Sequence, residues 1–347
     1  MLRNKVCELR HGIALLALWA YTTIPTYATV VHPLDVPALV ENSDLVALGR
    51  VISIQEQGGV TVDMPAGPAL AKGFMAALAI DHVLKGNPES QTVYFDFFVS
   101  ATPSGYRNVP QGQYGIFFLQ KTPHSQFRES DPFYPFLPAV PGALLSNGPP
   151  LDQVVAKLGE ALTDNRSTES DISSALNALV TIPVRSATEI LRHALETSSG
   201  DLQLHIASKL VARNDISGLD VVEKALLRPA ESQGYLLLEL AGSLGGLKDP
   251  KSVPALKPLI ETNNPYIVKG AAIALRQSGS VDALEPLSHL LSDTDEQVRY
   301  YAVVGMGEIT KQDQWTPTFE EFRGREGYYL SYWRDWAVSN VSDTARK

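Results

Sequence analysis

Gly218-Leu-Asp-Val-Val-Glu-Lys-Ala-Leu-Leu227 returns 34 residues later as Ser252-Val-Pro-Ala-Leu-Lys-Pro-Leu-Ile-Glu261, and the start of that copy returns again as Ser280-Val-Asp-Ala-Leu-Glu-Pro-Leu287. Self-similarity at such a period marks a stacked-repeat architecture. Under the same shift Val222 falls on Leu256 and Ala225 on Leu259, Leu204, Leu238 and Ala272 make one column, and Ala207, Ala241 and Leu275 make the next. The following copy is shorter, with Ala272 matching Ala302 and Leu275 matching Gly305. Val268, Ala271, Ala272 and Leu275, and then Val298, Ala302, Gly305, Met306 and Ile309, recur at helical spacing, so each unit contains an amphipathic helix. Small residues in these columns let neighbouring helices approach closely. One helix pair of this size cannot bury its apolar face alone, so the pairs must stack into a solenoid. Asp293-Thr-Asp-Glu296 has the form of a capping box at the start of the last such helix.

Asp249-Pro-Lys-Ser-Val-Pro-Ala-Leu256 and Asp295-Glu-Gln-Val-Arg-Tyr-Tyr-Ala302 carry a resemblance to HEAT-type repeats, in particular the short bacterial form related to phycobilin-lyase repeats. It is clear over about 218–310, and 187–196, 202–212 and the helices of 151–182 look like degenerate copies. The resemblance implies antiparallel helix pairs in a right-handed stack and a scaffolding or binding role, with a chromophore-lyase activity in some members. No lyase-specific chemistry is visible, so that activity is not carried over.

Upstream the pattern changes. Asp44 to Ile54 is apolar and β-branched and is expected to end at Gly58-Gly59; Ala76 to Leu84 leads into the turn Lys85-Gly-Asn-Pro88. Val93, Phe95, Phe97 and Val99 alternate with Asp96 on the other face, and Gly112 to Leu119 is a fourth strand. Short strands between glycine and proline turns predict a small barrel or sandwich over 29–122. The order Ser-Asp-Leu-Val (43–46), Gly-Arg-Val (49–51), Val-Leu-Lys-Gly-Asn (83–87) and Gly-Gln-Tyr-Gly-Ile-Phe-Phe-Leu (112–119) resembles a netrin/tissue-inhibitor-type OB barrel over roughly 43–120. The inhibitors of that family depend on an N-terminal cysteine and disulfides. This chain has neither, so metalloprotease inhibition is not transferred. The expected fold is therefore α+β in two domains, an OB-like barrel or sandwich followed by an all-α HEAT-like solenoid over 151–314.

Residues 1–28 read as an address. Arg3, Lys5 and Arg10 precede an apolar run from Ile13 to Tyr21, too short to span a bilayer, and Thr26-Tyr-Ala28 offers small residues for cleavage after Ala28. An uncleaved N-terminal anchor is the alternative. Removing this segment takes three basic groups and one acidic group, leaving 29 − 3 = 26 Lys+Arg against 38 − 1 = 37 Asp+Glu, a net charge of −11. Cys7, the one cysteine, goes with it, which excludes thiolate nucleophiles and thiolate zinc sites from an exported, periplasmic or secreted protein held by its apolar core. The acidic balance also argues against nucleic-acid binding, and no span crosses the membrane in the mature chain.

Seven prolines from Pro123 to Pro150 mark 123–150 as a semi-rigid strap between domains, with a proline-rich ligand segment as the second reading. Residues 315–347 depart from the repeat: Trp315, Trp333 and Trp336 fall here, and Tyr329, Tyr332, Trp333 and Trp336 share one helical face, as a terminal cap or an aromatic ligand patch would.

No catalytic, cofactor or metal site is predicted. The histidines outside 1–28 (32, 82, 124, 193, 205 and 289) form no HExxH or His-x-His pair, and there is no EF-hand, Gly-x-Ser-x-Gly or Walker loop. His82 beside Asp81 reads as a structural or solvated strand residue rather than a ligand or base. Arg299 and Tyr300 are the candidate interaction residues, with the alternative that Arg299 ties adjacent repeats through an aspartate such as Asp295. Residues 151–347 hold 27 acidic and 20 basic groups, 20 − 27 = −7, so the expected partner is a protein with a basic patch. A lyase or hydrolase with a site between the domains, and a protease-inhibitor-like binder acting through the β domain, are the alternatives. The oligomeric state and the face that binds stay open.

Overall fold

The computed structural model describes residues 33–64, 67–100, 108–123, 126–144, 148–228 and 235–340. A six-stranded sheet is followed by a run of helices in a repeating arrangement, an α+β fold. The expected cleavage site after Ala28 lies outside the described residues.

The first part opens with helix α1 (Val36–Asn42), capped by Asp35, whose side chain accepts from the Ala38 amide at 2.9 Å. Six strands follow: β1 (Leu45–Met64), β2 (Gly67–Lys85), β3 (Thr92–Ser100), β4 (Tyr114–Lys121), β5 (Phe127–Glu129) and β6 (Phe136–Pro138). Pairing runs β1-β2-β3-β5-β4-β6, and β4 also pairs with β1, so the pairings return on themselves. Only the β3–β5 pair is parallel; the others are antiparallel.

The alternation read in β3 holds, with Val93, Phe95 and Phe97 buried beside Phe117 and Phe127. β4 is buried on both faces, which is why its sequence is a continuous apolar run. Phe117 and Leu119 turn into the strand core, while Tyr114, Ile116 and Phe118 turn towards the helices.

Two expectations need correction. Gly58-Gly59 does not end β1: the ladder with β2 continues to Met64↔Gly67. The pairing shifts register between Glu56 and Gly58, where Gly58 takes a φ of +107°, so the glycine absorbs a bulge instead of closing the strand. The proline-rich stretch is also not simply a strap. It contains β5, which links β3 to β4, and β6, which pairs with the edge of β4; Pro138 is tolerated there because an edge strand can spare a donor.

The second part comprises α2 (Pro150–Thr163), α3 (Glu169–Thr181), α4 (Arg185–Thr197), α5 (Gly200–Ala212), α6 (Leu219–Leu227), α7 (Leu237–Ser243), α8 (Val253–Ile260), α9 (Pro265–Gln277), α10 (Leu284–Leu290) and α11 (Glu296–Thr310). The repeat is visible in its local devices. A 3-10 turn leads into α6, α8 and α10, at Ile216–Gly218, Pro250–Ser252 and Val281–Ala283. Left-handed residues follow α5, α9 and α11, at Asn214, Gly279 and Lys311. A Cβ on Gly246 would strike the Ala212 carbonyl 34 residues earlier, so the repeats meet there backbone to backbone.

The predicted columns are buried at Leu204, Ala207, Ala241, Ala272, Leu275, Ala302 and Met306. Leu238, at the start of α7, is the exception at 58% exposed. The expected capping box at Asp293 is replaced by Asp295, whose side chain accepts from the Gln297 and Val298 amides. True boxes form at Thr168/Asp171 and Thr318/Glu321.

Two terminal helices, α12 (Phe319–Gly324) and α13 (Glu326–Asn340), pack on α10 and α11. Phe322 and Trp333 are fully buried there, and Trp315 stacks on Tyr332 with ring centroids 3.6 Å apart. The two parts of the chain share one apolar core. Val46, Leu48, Ile116, Phe118 and Leu137 from the sheet join Val154, Val155 and Leu158 of α2, and the cluster continues to Trp333. The buried Lys157 ammonium, paired with Glu160 at 2.7 Å, also donates to the Ala143 carbonyl, pinning the connection between the parts onto α2.

Candidate interaction surface of the solenoid

Helices α5, α7, α9 and α11 lie side by side, each packed on the next, and form one ridge of the stack. Its polar side chains are largely spent on each other across repeats. Tyr235 donates to Asp201, Lys269 to Gln297, and Arg276 pairs with Glu308 at 2.7 Å. On the companion helices Arg192 meets Asp215 at 2.8 Å and Lys257 meets Glu285 at 2.6 Å. Left uncovered on the ridge are Tyr235 (65% exposed), Leu238 and Tyr266 (60% exposed), at the starts of the adjacent helices α7 and α9. Tyrosine is among the residue types enriched in binding hot spots.

The candidate residues Arg299 and Tyr300 sit elsewhere. Arg299 Nε pairs with Glu326 of the cap at 2.5 Å, and its Nη1 donates to the Asp293 and Thr294 carbonyls. The tie to Asp295 is thus replaced by one to the next element along. Tyr300 packs against Phe319 and Phe322 with centroids 5.1 and 5.6 Å away. Both residues join the last repeat to the cap. His82 lies on β2 opposite Leu48, half-buried.

One cluster went unremarked in the sequence. Glu239 of α7 receives Ser208 Oγ at 2.6 Å, Lys209 Nζ at 3.0 Å and His205 Nδ1 at 3.0 Å from α5. Burial raises its carboxyl, but the hydrogen bonds from Ser208 and Lys209 and the lysine charge outweigh that and hold it below the ordinary value. A serine, a histidine and a glutamate meet here in the wrong order for nucleophilic catalysis. The hydroxyl bonds to the carboxylate and to the His205 carbonyl, not to the imidazole, and Ser208 is buried. The cluster is an inter-repeat tie. The signal for it is the polar set His205, Ser208 and Lys209 at i, i+3 and i+4 on α5, legible only once α7 is known to lie alongside.

Arg213 is a second tie. Its guanidinium donates to the carbonyls of Leu179, Val180 and Ile182, closing the C-terminal end of α3 from the following repeat. In the strand part, a groove of about 400 Å³ lies between β3, β5 and the turn after β2, floored by Val93 and Phe127 and edged by Tyr94 and Lys121. Among the described residues no group of three or more His, Cys, Asp or Glu side chains is placed to hold a metal ion, and no helix is long and apolar enough to cross a membrane.

No curated protein matches the chain. Among solved structures, an engineered protein is 22% identical over 46% of this chain and 80% of its own, with a TM-score of 0.34. The CpcE–CpcF complex of phycocyanin lyase from Nostoc sp. PCC7120 is 21% identical over 51% of this chain and 72% of that one, with a TM-score of 0.35. Human deoxyhypusine hydroxylase in complex with glycerol is 15% identical over 46% and 74%, with a TM-score of 0.28. These likenesses cover parts of the chain only. Residues 226–307 match the family described as HEAT repeats, a stretch that contains the 3-10 turns at Pro250–Ser252 and Val281–Ala283 and the left-handed Gly279. Those residues therefore carry HEAT repeats.

Proposed function

We propose that this protein is an exported, non-catalytic scaffold whose solenoid holds a protein partner bearing a basic patch. The observation that carries the reading is the exposure of Tyr235, Leu238 and Tyr266 at the starts of two neighbouring helices of the HEAT stretch. Stacked helix pairs present long continuous faces suited to extended partners. The excess of acidic over basic groups in 151–347 supplies the complementary sign. Export is supported by the order of charge, apolar run and small residues in 1–28. The strand part reads as an OB-type barrel that supports the solenoid; the returning pairing order with a single parallel pair, β3–β5, supports this.

Affinity capture by the full chain from its own extract, at about 0.05 M and about 0.5 M salt, tests the reading. The Debye length shortens as salt rises and screening strengthens, so a basic protein should be retained at low salt and lost at high salt. Retention of acidic partners, indifferent to salt, would contradict it.

A further inference from the structure

Glu129 ends β5, the three-residue strand that alone joins β3 to β4 among the described strands. Its hold on β3 is slight, only Phe95↔Phe127 and Asp96↔Arg128. Phe127 and Glu129 point inward and Arg128 outward, which leaves the Glu129 carboxyl 6% exposed. Oε1 accepts from the Phe98 amide at 3.2 Å, just beyond the last paired residue of β3. The side chain therefore continues the ladder where the backbone of β5 has stopped. Oε2 has no hydrogen-bond partner.

The neighbouring charges make this an unfavourable place for a carboxylate. Asp96 on β3 and Asp131 just past β5 both bear on it, and both are acidic. Arg128 donates to Gln120 on β4 instead, and Lys121 on β4 lines the outer groove. From β1 and β2 the inner core presents apolar side chains such as Val51 and Leu78. Burial above all, then Asp131 and Asp96, push the carboxyl up to about 8 against the lowering pull of the Phe98 amide.

We propose that Glu129 is a protonation latch: as the neutral acid it closes the seam between β3 and β5, and loss of its proton to solvent releases that seam. An ionised carboxyl here would be buried with one oxygen unsatisfied beside two other acids, and the cheapest relief is to lift a strand held by two residue pairs. The sign follows from linkage. The closed state binds its proton more tightly than the open one, so closure is favoured most at low pH. It weakens about tenfold per pH unit between the ordinary value of 4.5 and about 8, and is constant above that. Because Phe127 floors the groove between β3 and β5, releasing β5 also remodels that groove.

Amide hydrogen exchange in the full chain, read by NMR as protection factors so that intrinsic base catalysis is removed, tests the latch. Between about pH 6 and about pH 8.5 the seam amides of Phe98 and Phe127 should lose more than about tenfold in protection, while α9 amides such as Ala272 hold theirs. In Glu129→Gln, which cannot ionise, the seam should hold its protection to within about twofold across that range. Unchanged protection in the unmodified chain, or an equal loss in Glu129→Gln, overturns the proposal. Direct carbon-13 titration of the Glu129 carboxyl in the unmodified chain decides it independently of the variant. A midpoint above about 7 is expected, and one near the ordinary value of 4.5 overturns it.

Discussion

Replacing Trp333 by alanine is the sharpest test of how the solenoid is terminated. The indole is 0% exposed, set edge-on to Tyr332 and Trp336 at 5.1 and 5.6 Å, and its Nε1 faces the Trp315 carbonyl at 3.4 Å. It covers the end of the same core that contains Val298, Ala302 and Met306. A buried tryptophan cut to alanine costs about 3–5 kcal/mol, the lost transfer energy plus the cavity left behind. The stability of a whole domain is about 5–15 kcal/mol, so the loss is a large share of it. At about 2–4 °C per kcal/mol for a unit of this size, the melting temperature should fall by roughly 6–20 °C. Thermal melts followed by circular dichroism at the helical band, with the exposed Val338→Ala on the same helix as control, read this directly. The control should move stability by no more than about 0.5 kcal/mol. Equal melting temperatures for Trp333→Ala and the unmodified chain would refute the reasoning, and residues 315–340 would then be an appendage to the fold.

Arg213→Ala removes three carbonyl contacts at the end of α3 and should cost about 1–3 kcal/mol in urea denaturation, with Arg213→Lys recovering part of it; no change would show the tie to be idle. Asp215 is held below its ordinary 3.8 because the Ser217 and Arg192 hydrogen bonds outweigh the burial that would raise it. Its contribution is therefore present above that value and lost as pH falls through the lower folded value, so Asp215→Asn should lower stability at pH 7 by an amount that shrinks as pH falls below 3.8. Cutting the chain at residue 148 separates Val46, Leu48, Ile116 and Phe118 from Val154, Val155 and Leu158, so 148–347 made alone should bind apolar dyes and melt without a sharp transition. A cooperative melt matching that of the full chain would disprove the shared core.

The helical repeat was legible because its apolar columns recur at one period, and burial at Ala207, Ala241 and Leu275 follows that period. Leu238 leaves the column, exposed at the start of α7 where the helix begins, a boundary the repeat period does not mark. β5 and β6 were hidden because three-residue strands carry no alternation, and Pro138 reads as a breaker until an edge is known to receive it. Gly58-Gly59 looked like a stop because bulge and turn need the same backbone freedom. The ties at Arg213, Glu239 and Arg299 span from 27 to 34 residues and join helices whose contact only stacking creates. The interaction row was missed for a related reason. Leu238 falls in an apolar column of the repeat and Tyr235 and Tyr266 in none, and the structure leaves all three exposed.

The central claim is that partners dock on the solenoid ridge. Quantitative capture from the native extract by three forms of the full chain tests it most directly: unmodified, Tyr235→Ser/Leu238→Ser/Tyr266→Ser on the ridge, and Tyr94→Ser/Lys121→Ser at the groove of the strand part. The ridge residues are exposed and losing the Tyr235–Asp201 hydrogen bond should cost only about 0.5–1.5 kcal/mol, so that variant should still fold and melt cooperatively. The account predicts that partners retained by the unmodified chain are lost from the ridge variant and kept by the groove variant. Partners kept by the ridge variant and lost from the groove variant would contradict it and move the binding site to the strands.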